Sequence, residues 1–76
     1  MGQYIVEVVL KVRKEKPLTE LYPSEEAAKD AIRSITQQVK DMEQMVVSPG
    51  GGMAFPYDQL AGISMRPLQS FGVKPR

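Results

Sequence analysis

Seventy-six residues make one domain, and a chain this short buries only about 60% of the surface its unfolded form exposes, so its core is small. The chain has neither cysteine nor histidine, which excludes disulfides and thiolate or imidazole metal sites and removes the commonest general base and the easiest nucleophile. A formal charge of +1 gives no reason by itself to expect a nucleic-acid partner.

In chain order, the stretch from Gln3 to Arg13 alternates. Tyr4, Val6, Val8, Leu10 and Val12 point one way; Ile5, Glu7, Val9, Lys11 and Arg13 point the other. A period of two rich in β-branched residues is the signature of a strand. The first set is wholly apolar and is expected to face a covering element. The second set is mixed, so Ile5 and Val9 stay wet unless something covers them, and two apolar residues on one strand face are how a dimer surface begins. Lys14-Glu15-Lys16-Pro17 reads as a charged hairpin loop, because proline cannot serve a central strand. Leu18 to Tyr22 then returns as a short edge strand, with Leu18, Glu20 and Tyr22 on one face and Thr19 and Leu21 on the other.

Ser24 to Glu43 is the one long amphipathic helix in the chain. Ala28, Ala31, Ile32, Ile35, Val39 and Met42 form a single stripe of period 3.6, with charged and amide side chains between them. Ser24 is placed to cap the first turn, Glu25 and Glu26 suit the positive end of the helix dipole, and Pro23 prevents an earlier start. The alanines that open the stripe predict close packing on whatever the helix covers.

Met45 to Ser48 and Met53 to Phe55 read as two strands of a hairpin around the turn Pro49-Gly50-Gly51-Gly52. Tyr57 to Leu60 is expected as a single turn. Ala61 to Arg66 is a last strand with Ile63 and Met65 on one face, and Gly62 marks a bulge or a close backbone approach. Pro67, Gly72 and Pro75 break any regular element, so residues 68–76 are expected as a flexible tail after a single domain at 1–67. The order β-β-α-β-β-β predicts an α+β two-layer sandwich, one amphipathic helix on a mainly antiparallel sheet.

Chemistry is sparse. No serine is followed at the third position by a lysine, and the carboxylates are either explained by capping or isolated on solvated faces. The glycine run lacks the lysine and the following helix of a phosphate-binding loop. No catalytic residue, metal site or cofactor is expected. The cations are unevenly spread: residues 1–16 sum to +2, residues 17–44 to −3 and residues 45–76 to +2. Lys11, Arg13, Lys14 and Lys16 form the one basic cluster that suits phosphate contact. Ile5 and Val9 beside it are aliphatic, so a stacking platform for bases is missing there. No apolar run is long enough to span a bilayer and no signal-like segment opens the chain, so a soluble, cytoplasmic protein with no membrane partner is expected. The function these features favour is a non-enzymatic protein–protein interaction module, self-associating as a homodimer or docking on another protein through Ile5 and Val9. The alternative is a nucleic-acid accessory protein using the cluster at residues 11–16.

Overall fold

A computed structural model describes residues 2–68. It contains β1 (Tyr4–Leu10), β2 (Arg13–Tyr22), α1 (Glu25–Lys40), β3 (Val46–Val47), β4 (Ala54–Phe55), a 3-10 turn (Tyr57–Gln59) and β5 (Leu60–Pro67). The helix lies on an antiparallel three-stranded sheet in the order β2-β1-β5, and β3 and β4 form a separate two-stranded ribbon. The expected α+β arrangement is therefore present. Residues 69–76, which carry most of the expected tail, lie outside the described residues; Leu68 itself still donates its N–H to Gln3 O at 2.9 Å.

The β1–β2 hairpin closes earlier than the alternation suggested. Lys11 and Val12 form the turn, Leu10 faces Arg13, and Val12 is 67% exposed rather than facing the helix. The Lys11 N–H bonds Gln59 O at 2.9 Å, which draws the chain end of β1 toward the turn before β5. With the hairpin closed there, β2 holds surplus residues. Lys14 to Pro17 have no partner on β1, and regular pairing resumes only at Val8 opposite Leu18. The expected hairpin loop at 14–17 is thus an irregular stretch within a longer strand. Pro17 is tolerated because β2 is an edge strand, where a missing N–H is harmless.

Helix α1 begins as its sequence dictates. Ser24 is the N-cap, and its Oγ accepts from the Ala27 N–H at 3.1 Å. The other end falls at Lys40, short of the expected Glu43. Met42 turns into the left-handed region at φ 56°. Its N–H bonds Val39 O at 3.0 Å and the Glu43 N–H bonds Gln38 O at 3.1 Å. This pair of bonds is a Schellman cap, built without its usual glycine. Met42 therefore leaves the apolar stripe and is 63% exposed.

The core sits between α1 and the sheet. Val6, Val8 and Leu10 of β1 meet Ala28, Ala31 and Ile35 of α1, and Tyr22, Val46, Met53 and Phe55 close one side. Ile35 is fully buried, which contributes about 1.5–3 kcal/mol from area alone. Ile63 and Met65 reach this core from β5, as expected. The β1–β5 register slips between Val9 opposite Gly62 and Leu10 opposite Leu60, leaving Ala61 as the extra residue of a bulge. A Cβ on Gly62 would meet nothing within 4 Å, so Gly62 stands beside the bulge and not at a close approach.

Candidate functional site

The face of the sheet away from α1 is the first place where function can sit. Cross-strand partners share a face, so Ile5 stands with Leu21 and Arg66, and Glu7 with Thr19 and Ser64. Ile5 and Val9 are half-buried and Leu21 is 51% exposed. Val9 faces Gly62 on one side and the irregular part of β2 on the other. Ile5, Thr19, Leu21 and Leu68 line a shallow cavity of about 290 Å3. On the regularly paired part of this face the two charges meet each other: Arg66 Nη1 lies 2.6 Å from Glu7 Oε1.

Lys11, Arg13, Lys14 and Lys16 lie at the hairpin end of the sheet, and all four are exposed. Lys11 is in the turn, so it does not share a strand face with Arg13 as the alternation suggested. None of the four has an ion-pair partner among the described residues. The aromatic side chains of the described residues stand elsewhere: Phe55 and Tyr22 are buried, and Tyr4 and Tyr57 pack against the core. Among the described residues no stacking surface accompanies the cluster.

The densest polar arrangement is one that the motifs did not reveal. Glu20 projects from β2 on the helix side of the sheet, toward the turn of the β3–β4 ribbon. Its Oε1 accepts from the hydroxyls of Tyr22 and Ser48, both at 2.6 Å, and its Oε2 accepts from the Gly52 N–H at 2.7 Å. Tyr22 Oη accepts in turn from the Gly50 N–H at 3.3 Å, and Ser48 Oγ from the Met53 N–H at 3.1 Å. Of the three glycines in this turn, only Gly51 takes a positive φ, 81°. Gly50 and Gly52 are small for a different reason: a Cβ at either would lie 2.5 Å from Glu20 Oε2. The glycine turn therefore does cradle an anion, and the anion is the chain's own carboxylate. Burial pushes the Glu20 carboxyl up, but the hydrogen bonds from Ser48, Tyr22 and Gly52 outweigh it and hold the group below the usual carboxylate value. The Tyr22 phenol is pushed up by burial and by its bond to Glu20.

The ribbon is held from its other side by α1. Gln38 Nε2 donates to Val47 O at 2.9 Å while its Oε1 accepts from the Val47 N–H at 3.0 Å, so one amide side chain satisfies both backbone groups of a strand residue. Glu20 and Gln38 thus fix a ribbon of two-residue strands that is too short to stand alone. A signal for the first clamp existed. Glu20 falls on the apolar face with Leu18 and Tyr22, and a carboxylate there needs donors; a glycine-rich turn is a ready source of N–H groups.

A second cavity, about 490 Å3, runs between α1 and β5, with Ile32 and Met65 on its floor and Lys29, Arg33 and Lys40 around it. Among the described residues no group of three carboxylates is placed to hold a metal ion, and no helix is long and apolar enough to cross a membrane. The sequence matches no protein-family model, and comparison with characterised proteins and with solved structures finds no significant match.

Proposed function

We propose that this chain is a non-enzymatic interaction module that self-associates through the sheet face opposite α1, with Ile5, Val9 and Leu21 at the contact. One observation carries the reading: α1 and the ribbon cover one face of the sheet, while the other keeps aliphatic residues half-exposed in its central strand. A second copy is the occupant that fits best. The Glu7–Arg66 pair neutralises the regularly paired part of the face, so two copies meet there without like-charge repulsion. Packing sheet on sheet would bury Ile5 and Leu21 in a shared layer and supply apolar burial that a chain of this length cannot provide alone. The cysteine-free composition fits a reducing compartment, and we place the protein in the cytoplasm.

The test is solution mass by light scattering on the wild type and Ile5→Glu. The wild type should approach twice the 8.5 kDa of one chain as concentration rises. Ile5→Glu should stay at the mass of one chain with an unchanged far-ultraviolet circular dichroism spectrum. A wild type that remains monomeric to millimolar concentration defeats the self-association reading. The second reading, nucleic-acid contact through Lys11, Arg13, Lys14 and Lys16, is favoured by their shared exposure. It predicts binding that weakens steeply with salt and disappears when all four are glutamine.

A further inference from the structure

The two edges of the sheet are defended very differently. On β2, the segment Lys14 to Pro17 leaves the ladder, carries charges and ends in proline, and the ribbon is clamped to Glu20 further along. These are the devices that keep an edge from pairing with another chain. On β5, the residues from Leu60 to Met65 carry no charge and the first charged residue is Arg66.

The register identifies which backbone groups this edge offers. The Leu68 N–H bonds Gln3 O, so Gln3 and Leu68 form a hydrogen-bonded pair. In an antiparallel ladder such pairs alternate. Arg66, Ser64 and Gly62 then bond Ile5, Glu7 and Val9, while the N–H and C=O groups of Ile63 and Met65 turn to the open edge. Among the described residues nothing bonds those two N–H groups. The side chains of Ile63 and Met65 lie on the helix side, and Met65 forms part of the floor of the 490 Å3 groove under α1. A bare edge, an apolar floor and a flanking helix are the parts of a site that takes an extended peptide as an added strand.

We propose that β5 and α1 together bind an extended acidic segment of a partner protein. Its backbone pairs with Ile63 and Met65, and every second side chain points to the helix side, where the carboxylates meet Lys29, Arg33 and Lys40 and their methylene stems rest on Ile32 and Met65. The charge of the groove selects the occupant. Lys29 pairs with Glu25 at 3.7 Å and Arg33 with Asp30 at 2.6 Å, but both pairs are exposed, so an incoming carboxylate exchanges with them at little cost. Lys40 has no ion-pair partner among the described residues. Lys29 and Arg33 are about 6 Å apart along the helix axis, close to the roughly 6.7 Å between same-face residues of a strand. A second copy fits this edge poorly: joining β5 to β5 about a two-fold axis sets Lys29, Arg33 and Lys40 toward the same three cations. Association through the opposite sheet face leaves this edge open, so the two sites are independent.

The experiment is a titration of the 15N-labelled full chain with a short capped peptide alternating glutamate and valine. Counterparts replace glutamate by lysine, or carry proline at two adjacent central positions, which removes one N–H facing β5 whatever the register. The glutamate peptide should shift the Ile63 and Met65 amides and slow their exchange with solvent. The proline and lysine peptides should not. The double variant Lys29→Glu, Lys40→Glu should bind the glutamate peptide about tenfold more weakly or worse. The proposal is overturned if the glutamate peptide leaves Ile63 and Met65 unmoved at millimolar concentration, or if the lysine peptide binds equally well. It is also overturned if a single-stranded oligonucleotide displaces the peptide from these amides, which makes the groove a phosphate site, or if they become protected on raising protein concentration alone, which makes the edge a self-pairing one.

Discussion

Along β1, residues one position apart meet opposite fates. Val6, Val8 and Leu10 are buried under α1, whereas Ile5, Glu7 and Val9 are only half-buried. Residue type does not make the difference, since Ile5 is as apolar as Val6. The cover makes it: α1 brings Ala28, Ala31 and Ile35 down on one face, and Glu20 and Gln38 pin the ribbon beside them. The other face has no cover among the described residues. What the contrast teaches is that a strand's alternation says which residues travel together, and only the neighbouring elements decide which set is dry.

The contrast can be broken from its sealed side. Ile35→Ala should cost about 2–5 kcal/mol in urea unfolding, a large part of the roughly 4–11 kcal/mol that 0.05–0.15 kcal/mol per residue allows a chain this short. Glu20→Ala should cost about 2–3 kcal/mol, because it strands the hydroxyls of Tyr22 and Ser48 and the Gly52 N–H. Glu20 also sets a pH dependence. Its folded pKa lies below the unfolded value near 4.5, so its contribution is present above that pH and is lost as pH falls through the folded pKa. Glu20→Gln should flatten the acid limb of a curve of Tm against pH; an unchanged limb means the carboxylate carries no such linkage.

On the open side the same kind of change should act on association and not on folding. Ile5→Glu should shift monomer stability by no more than about 1 kcal/mol, measured at a concentration below any association. A loss as large as that for Ile35→Ala would show that the two faces are equally buried and erase the contrast. The smallest effect should come from the helix end, and it should stabilise. Met42→Gly relieves a left-handed φ at an exposed position and should add about 0.5–1 kcal/mol. A decrease would mean that the Met42 side chain packs where exposure says it does not.

Much of this was legible in the residues. The period of 3.6 located α1, and Ser24 marked its first turn, because both signals are local. The assignment of Leu18, Glu20 and Tyr22 to one face and Thr19 and Leu21 to the other followed from pleating alone. Strand ends were not legible. The hairpin closed at Lys11-Val12 because Gln59, far along the chain, bonds the Lys11 N–H. The helix stopped at Lys40 through a cap that a methionine occupies against its conformational preference. The glycine turn was readable as a turn, but its role as a cradle depended on Glu20, which lies 32 residues from Gly52. Of the candidate interface residues, Ile5 and Val9 were found by alternation, while Leu21 and Leu68 join Ile5 only once the strands are paired.

The most direct measurement is an isotope-filtered nuclear Overhauser experiment on a mixture of labelled and unlabelled chains, which reports contacts between copies only. The account predicts intermolecular contacts from the methyl groups of Ile5, Val9 and Leu21 and none from Val6, Val8 or Ile35. Intermolecular contacts from Met42, Met45 and Val47 instead, or none at a concentration where the mass has doubled, would contradict it.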